Sequence, residues 1–176
     1  MKEDVSIVVR ATGYAAEKHR GQTRKDAAGT PYINHPIALT ELLVNVGKIT
    51  DQNVLAAALL HDTVEDTDAT LEEIEENFGA AICGIVREVT DDKSLTSPER
   101  KRLQIVNAGK ISYEARLVKL ADKISNLQDM LARPPVKWSP QRKQEYFEWA
   151  KAVIDNLRGT NAALEKLFDE TYANKP

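Results

Sequence analysis

The pattern of apolar and polar positions along the chain predicts an all-α protein. Apolar residues recur at helical spacing, and no segment joins sustained apolar–polar alternation to a hairpin turn such as Asn-Gly or Asp-Gly. Residues that favour helix caps precede the periodic segments, and glycines and prolines separate them. We therefore expect about eight to ten helices, packed into a single domain that spans residues 1–176.

The first part of the chain is predicted to form two helices joined by a polar loop. One helix covers about residues 5–20, and the turn-rich segment 21–31 follows it. The second helix begins near His35, with Asn34 as its N-cap, and Gly47 ends it. The loop between the two helices is long enough to carry functional residues.

A third helix is predicted over about residues 51–64, and we expect it to be buried. Apolar side chains surround it on nearly every face, because its middle reads Val54, Leu55, Ala56, Ala57, Ala58, Leu59 and Leu60. The polar residues at its C-terminal end should therefore lie deep in the fold.

The second half of the chain contains further capping residues that predict helix starts. Thr70 and Glu73 predict a capping box for a short acidic helix. Hydroxyl caps are predicted for three later helices, at Ser97, Ser112 and Ser139. Segment 133–139 holds two prolines and reads as a loop, and the last helices should cover about residues 140–157 and 160–172.

The composition of the chain argues against nucleic acid and membranes as partners. The 24 lysines and arginines face 27 aspartates and glutamates, which gives a net charge of -3 and no broad positive field for nucleic acid. No apolar run is long enough for a membrane span, and segment 1–10 lacks the features of a secretory signal, so we expect a cytoplasmic protein. The single Cys83 permits no internal disulfide.

The strongest candidate for chemistry is His61-Asp62-Thr63-Val64-Glu65-Asp66, which directly follows the apolar run. On a continuous helix its imidazole and three carboxylates would occupy an arc of about 140°, where like charges repel. A divalent cation would compensate them, because it accepts imidazole nitrogen and carboxylate oxygen together. The alternative is a polar helix end with solvated aspartates, in which His61 caps the last carbonyls.

A second candidate lies in a strongly apolar helical segment, where Asp122 and Asn126 are one turn apart and share a face. A buried aspartate needs a cationic partner. Either Lys119 or Lys123 is that partner, or the carboxylate binds a metal ion. In the second case four residues would converge on one ion: His35, His61, Asp62 and Asp122.

Four strings of residues are distinctive. They are Thr30-Pro31-Tyr32-Ile33-Asn34-His35-Pro36, His61-Asp62-Thr63-Val64-Glu65-Asp66-Thr67, Val89-Thr90-Asp91-Asp92-Lys93 and Leu120-Ala121-Asp122-Lys123. The lone histidine, the His-Asp pair and the distant aspartate resemble the HD superfamily of metal-dependent phosphohydrolases. The strings together resemble the hydrolase domain of the RelA/SpoT family. The resemblance covers about residues 15–160, so the chain looks like a stand-alone small alarmone hydrolase of the metazoan-SpoT-homologue type.

This resemblance implies an HD-type helical bundle that hydrolyses the 3′-pyrophosphate of guanosine tetra- or pentaphosphate, a guanine nucleotide alarmone. Mn²⁺ is the implied cofactor, and Zn²⁺ is the less favoured ion. The implied metal ligands are His35, His61, Asp62 and Asp122. The implied catalytic pair is Glu65 and Asp66, and family members that lack this pair are typically poor hydrolases.

The residues predicted to contact this substrate are Arg24, Lys25, Asn126, Arg142 and Tyr146. Arg24 and Lys25 would bind phosphate, although they also fit surface charges near a helix end. The resemblance implies a nucleotide contact at Asn126, whereas Arg142 and Tyr146 share a helix face and would hold phosphate and base unless they only pack. His19 is expected to be structural or exposed. Ser97 stands where relatives often carry a basic residue, which puts one phosphate contact in doubt.

Two other functions remain open at this stage. A second enzymatic function keeps the metal and removes the 2′-phosphate of NADPH or hydrolyses another nucleotide. A non-catalytic nucleotide sensor is the third, and the intact Glu65-Asp66 pair argues against it. No Gly-rich phosphate loop, Gly-x-Gly-x-x-Gly or Gly-x-Ser-x-Gly motif occurs, so ATP-driven, dinucleotide-redox and serine-hydrolase functions lack support.

Overall fold

The computed structural model describes residues 5–176 and contains ten α-helices over that range. They are α1 (Ser6–Lys18), α2 (Asn34–Asn45), α3 (Gln52–Leu60), α4 (Thr63–Asp66), α5 (Leu71–Phe78), α6 (Ala80–Val89), α7 (Ser97–Asn107), α8 (Tyr113–Ala132), α9 (Pro140–Asp155) and α10 (Ala162–Tyr172). A 3₁₀ turn, Ala108–Lys110, follows α7. An isolated bridge between Thr23 and Pro31 is the only extended pairing in the described part of the chain. The predicted all-α fold and its number of helices are confirmed.

Helices α3 and α8 form the centre of the bundle. Helix α3 packs against α1, α2, α6 and α8, and α8 also packs against α2, α6, α9 and α10. The whole apolar run of α3 is buried, as its apolar character on every face predicted. Because apolar burial is the main force that holds these helices together, the polar residues at the end of α3 and in the middle of α8 are brought inside the bundle.

Helix α3 ends at Leu60, four residues before its predicted end, because polar side chains compete for its last carbonyls. His61 Nδ1 donates to the Ala58 carbonyl at 2.7 Å, and Thr63 Oγ1 donates to the Leu60 carbonyl at 2.7 Å. His61 and Asp62 form a turn between α3 and the single turn of α4. The prediction of one continuous helical arc of charges is therefore wrong, and a turn presents both residues.

Most of the predicted caps are present, at Thr70, Ser112 and Ser139. Two predicted caps are wrong. Thr96, which has the extended backbone that an N-cap needs, caps α7, while Ser97 is already the first helical residue. Asn34 is likewise the first residue of α2, and Ile33 precedes it without a side-chain cap bond.

Two predicted loops lie side by side. The loop between α1 and α2 turns at Gly21 and Gly29, whose φ angles of 75° and 61° lie in the left-handed region that glycine adopts readily. The loop between α8 and α9 meets it where the Val136 amide donates to the Lys25 carbonyl at 3.1 Å. The two loops together form a wall beside α8.

The last two helices complete the bundle and are slightly shorter than predicted. Helix α9 ends at Asp155, and Asn161 caps α10 by accepting from the Leu164 amide at 3.1 Å. Phe147 and Phe168 anchor these helices in the core. Among residues 5–176, no helix combines the length and the apolar character that crossing a membrane requires.

Candidate metal centre

The described structure brings together the four side chains that the resemblance implied as ligands. His35 lies at the start of α2, His61 and Asp62 lie in the turn after α3, and Asp122 lies in the middle of α8. His35 Nε2 is 3.1 Å from Asp122 Oδ1 and 3.8 Å from Asp62 Oδ2. His61 Nε2 is 2.9 Å from Asp62 Oδ2 and 3.8 Å from Asp122 Oδ1. Ligand atoms of His35, His61 and Asp62 all lie within 4.8 Å of one another.

The histidine nitrogens at this centre fit a divalent cation. Because a carbonyl can only accept, His61 Nδ1 carries the hydrogen that it donates to Ala58. Its Nε2 is buried and, despite its short distance to Asp62, has no hydrogen-bond partner among the described residues. A metal ion accepts such a nitrogen, and the backbone bond at Nδ1 is the usual way to orient a ligating imidazole. Imidazole and carboxylate ligands together suit first-row divalent ions.

The charges of the centre stabilise one another. Burial lowers the pKa of His61, but the adjacent Asp62 carboxylate outweighs this and raises the pKa to about 9. Burial opposes ionisation of Asp62 and Asp122, yet the neighbouring cations hold the pKa of both carboxyls below the usual range. The main cations are His61 for Asp62 and Lys123 for Asp122. Both carboxylates are therefore ionised and available as ligands.

Asp122 has the lysine partner that one of the two predictions gave it, and it also faces the histidines, while its role as a metal ligand stays a prediction. Its Oδ2 accepts from Lys123 Nζ at 2.9 Å, while its Oδ1 points towards His35 and accepts from Asn126 Nδ2 at 2.6 Å. Lys123 is buried, and its Nζ lies 4.5 Å from the centre of the Trp149 ring. The other candidate, Lys119, is buried nearby, and burial together with the charge of Lys123 lowers its pKa to about 8.

Glu65 and Asp66 lie on α4 and line different cavities. Glu65 lines the same small cavity of about 150 Å³ as the four ligands, whereas Asp66 lines a neighbouring larger cavity. Glu65 Oε2 accepts from the Asp91 amide at 3.1 Å, and Asp66 Oδ1 accepts from Lys93 Nζ at 2.7 Å. Burial raises the pKa of the Glu65 carboxyl, and the charge of Asp91 adds to the effect. Glu65 is therefore suited to accept a proton beside the metal.

The larger cavity, of about 530 Å³, lies against the metal centre, and Arg24, Tyr32, His35 and Asn126 line both cavities. Four of the five predicted substrate contacts line it: Arg24, Lys25, Asn126 and Tyr146. The fifth, Arg142, is exposed and does not line the larger cavity. Its Cζ lies 4.3 Å from the centre of the Trp138 ring. Both ends of the Asn126 amide are hydrogen-bonded. Its Nδ2 donates to Asp122 Oδ1, and its Oδ1 accepts from Arg24 at 2.8 Å.

The comparisons with known proteins identify the family. A model of the HD domain matches residues 11–148 of the chain. The chain belongs to the HD-domain family. This domain is a metal-dependent hydrolase fold, which agrees with the cluster of histidines and carboxylates found here.

Within the HD-domain family, the chain is similar to proteins named guanosine-3′,5′-bis(diphosphate) 3′-pyrophosphohydrolase MESH1. It is 57% identical to that of Drosophila melanogaster over 92% of this chain and 90% of the relative. It is 51% identical to that of Homo sapiens over 99% of this chain and 98% of the relative. The expected relationship to the metazoan SpoT homologues is confirmed.

Solved structures of relatives have the same fold. One, described as a metazoan ortholog of SpoT that hydrolyses ppGpp and plays a role in starvation responses, matches with a TM-score of 0.95 and 53% identity. The match covers 98% of this chain and 97% of that one. A protein of Listeria monocytogenes EGD-e matches with a TM-score of 0.63 and 26% identity, over 82% of this chain and 99% of that one.

Several residues of this HD-domain site were not assigned from the sequence. The Tyr32 hydroxyl donates to Asp62 Oδ2 at 2.6 Å and lies 3.3 Å from Asp66 Oδ2. Tyr32 and Lys93 lie inside two of the four distinctive strings, and this position was the one feature of the sequence that pointed to them. Trp138 comes from a proline-rich loop and offered no signal. His19, expected to be structural or exposed, is buried and stacks on the Tyr32 ring with 4.7 Å between ring centres.

Replacement of Asp122 tests the metal centre. We expect Asp122→Ala to weaken Mn²⁺ binding by at least about 100-fold, because it removes a ligand together with the anchor for Lys123 and Asn126. Isothermal titration calorimetry on metal-stripped protein measures the change. Glu114→Ala is the control on the same helix, since Glu114 lies in the first turn of α8 and has no contact with the histidines among the described hydrogen bonds and ion pairs. Wild-type affinity in the Asp122 variant would contradict the assignment.

Metal binding should also release protons. With a pKa of about 9, His61 is protonated at pH 7.5 in the metal-free protein, and it must become neutral to ligate. We therefore expect release of about one proton per ion at pH 7.5 and an affinity that rises with pH until about pH 9. Calorimetry in buffers of different ionisation enthalpy measures the proton count. A binding enthalpy independent of the buffer at pH 7.5 would contradict this expectation.

Proposed function

We propose that this chain is a metal-dependent hydrolase of guanosine 3′,5′-bis(diphosphate) and its pentaphosphate, and that it releases GDP or GTP together with pyrophosphate. The observation that carries the proposal is the position of Glu65 beside the four candidate ligands, in a cavity that shares four lining residues with the larger one. A sensor would not need a carboxylate at that position. The names of the MESH1 relatives support the same activity.

The larger cavity has the size and the chemistry for a nucleotide with several phosphates. Its volume of about 530 Å³ falls in the range of small-molecule sites. Arg24 and Lys25 bring positive charge to a protein that is acidic overall. Trp138 and Tyr146, whose ring centres are 5.6 Å apart, provide aromatic surface for a base. In this proposal Arg24 and Lys25 bind phosphate, and Tyr146 with Asn126 contacts the nucleoside.

The proposed reaction adds water across the bond between the 3′ oxygen and its phosphorus. A divalent cation held by His35, His61, Asp62 and Asp122 would supply Lewis-acid activation of water and of the phosphoryl group. Glu65 orients the water and accepts its proton, for which its raised pKa suits it. The bond to the 3′ oxygen breaks, that oxygen takes a proton, and pyrophosphate leaves.

Asp66 has a different role in this proposal. It is hydrogen-bonded to Lys93 and lies close to Tyr32, so it holds Tyr32 at the wall of the substrate cavity and Lys93 beside Glu65. Arg142 would reach a phosphate only by leaving the Trp138 ring.

The proposed ion is Mn²⁺, because carboxylates are half of the ligand set and hard oxygen ligands suit Mn²⁺. Zn²⁺ also accepts two imidazoles and two carboxylates, and a metal titration of activity separates the two ions. The proposal further includes one domain formed by residues 1–176 and a cytoplasmic site of action.

Competition between substrates tests the proposal. Mn²⁺-loaded protein is given guanosine tetraphosphate, NADPH and a deoxynucleoside triphosphate, and kcat/KM is measured for each. We expect guanosine tetraphosphate to rank first by at least about tenfold, because the site must recognise two separate diphosphate groups. NADPH in first place would favour the phosphatase alternative. Binding without turnover would favour a sensor, and either result would contradict the proposal.

Replacement of Glu65 tests its role. We expect Glu65→Ala to lower kcat by a factor on the order of 10² to 10⁴, which is the usual contribution of a general base, and to leave Mn²⁺ bound. Glu72→Ala is the control, since Glu72 is exposed on α5. Steady-state kinetics and metal analysis of the purified variants measure both effects. A wild-type kcat in Glu65→Ala would show that another group takes the proton.

A further inference from the structure

One short loop contacts both Glu65 and Asp66. The loop that follows α6 provides the Asp91 amide to Glu65 at 3.1 Å and the Lys93 ammonium to Asp66 at 2.7 Å. Glu65 Oε1 also lies 3.7 Å from Lys93 Nζ. The orientation of Glu65 and Asp66 therefore depends on where this loop is held.

Gln104 of α7 holds this loop at Asp91. Gln104 Nε2 donates to Asp91 Oδ2 at 2.7 Å, so the amide of Gln104 and the backbone of Asp91 form a continuous link to Glu65. Gln104 is the α7 residue that lines the small cavity around the metal ligands. No residue of α7 is fully buried, so apolar packing does little to fix this helix against the loop.

The two ends of the Gln104 amide are in different surroundings. Its Oε1 is buried and has no hydrogen-bond partner within residues 5–176. A buried unsatisfied carbonyl destabilises a fold, and an apolar side chain of the same size would avoid that cost. Glutamine at this position is therefore better explained by the bond that its Nε2 makes.

We infer that Gln104 is a positioning residue that acts on Glu65 through Asp91. This inference rests on the proposed role of Glu65 as the group that accepts the proton of water. Without the Gln104 bond, the Asp91 carboxylate loses its donor and the loop is free to shift. The Glu65 carboxylate then loses the only backbone donor that it has within residues 5–176, and with it the orientation that proton transfer needs.

A double-mutant cycle tests the inference. We expect Gln104→Met, which keeps the length of the side chain and removes the donor, to lower kcat about tenfold with KM and Mn²⁺ affinity unchanged. In a Glu65→Ala background the same substitution should change kcat less than about twofold, because its target is gone. Gln141→Met is the matched control on the exposed part of α9, and its kcat should equal that of wild type.

Failure of this inference can be told apart from failure of the proposed role of Glu65. An equal loss in both backgrounds, a change confined to KM, or no loss at all would overturn the inference while the role of Glu65 stands. Gln104→Leu is the second variant, in case Gln104→Met does not fold. It also removes the donor and adds no charge to the small cavity, so it should behave in the same way.

A crystal structure of the Gln104 variant gives a readout without any substrate. The distance from the Asp91 amide to Glu65 should exceed hydrogen-bonding range, and an unchanged distance would overturn the inference. If wild-type protein does not hydrolyse guanosine tetraphosphate, the proposed function fails by itself, and this distance still tests the link from Gln104 to Glu65.

Discussion

The structure depends on holding two carboxylates and two imidazoles together in the interior of a helical bundle. Ionised groups in such surroundings are stable only when charges of the opposite sign compensate them. Lys123 compensates Asp122 from within α8, but Asp62 has no lysine of its own among the described ion pairs. The charge on Asp62 is balanced by a proton on His61 or by a bound cation, so proton and metal are alternatives at one position.

The contacts around the ligands connect the metal centre to the substrate cavity. Arg24 bonds Asn126, Asn126 bonds Asp122, and Tyr32 bonds Asp62. Arg24, Asn126 and Tyr32 also line the larger cavity. A molecule bound there meets side chains that already orient the ligands, so occupation of the cavity and the geometry of the metal centre are physically connected.

The sequence determined the framework of the fold and the identity of the central groups. The apolar run of α3 could only be stable when buried, and this placed His61 and Asp62 inside the protein. The same argument placed Asp122 on the inner face of α8. The Thr70–Glu73 box and the serine caps at residues 112 and 139 are local interactions, which is why the sequence could specify them.

Only the tertiary structure decided how distant parts of the chain meet. Helix α3 stops at Leu60 because the side chains of His61 and Thr63 bind its last carbonyls, a competition that periodicity does not register. The link from Gln104 to Glu65 joins α7, a loop and α4, and its partners are far apart in sequence. Hydrophobic patterning is set residue by residue along the chain, whereas hydrogen bonds between separate elements exist only after packing has fixed their distances and angles.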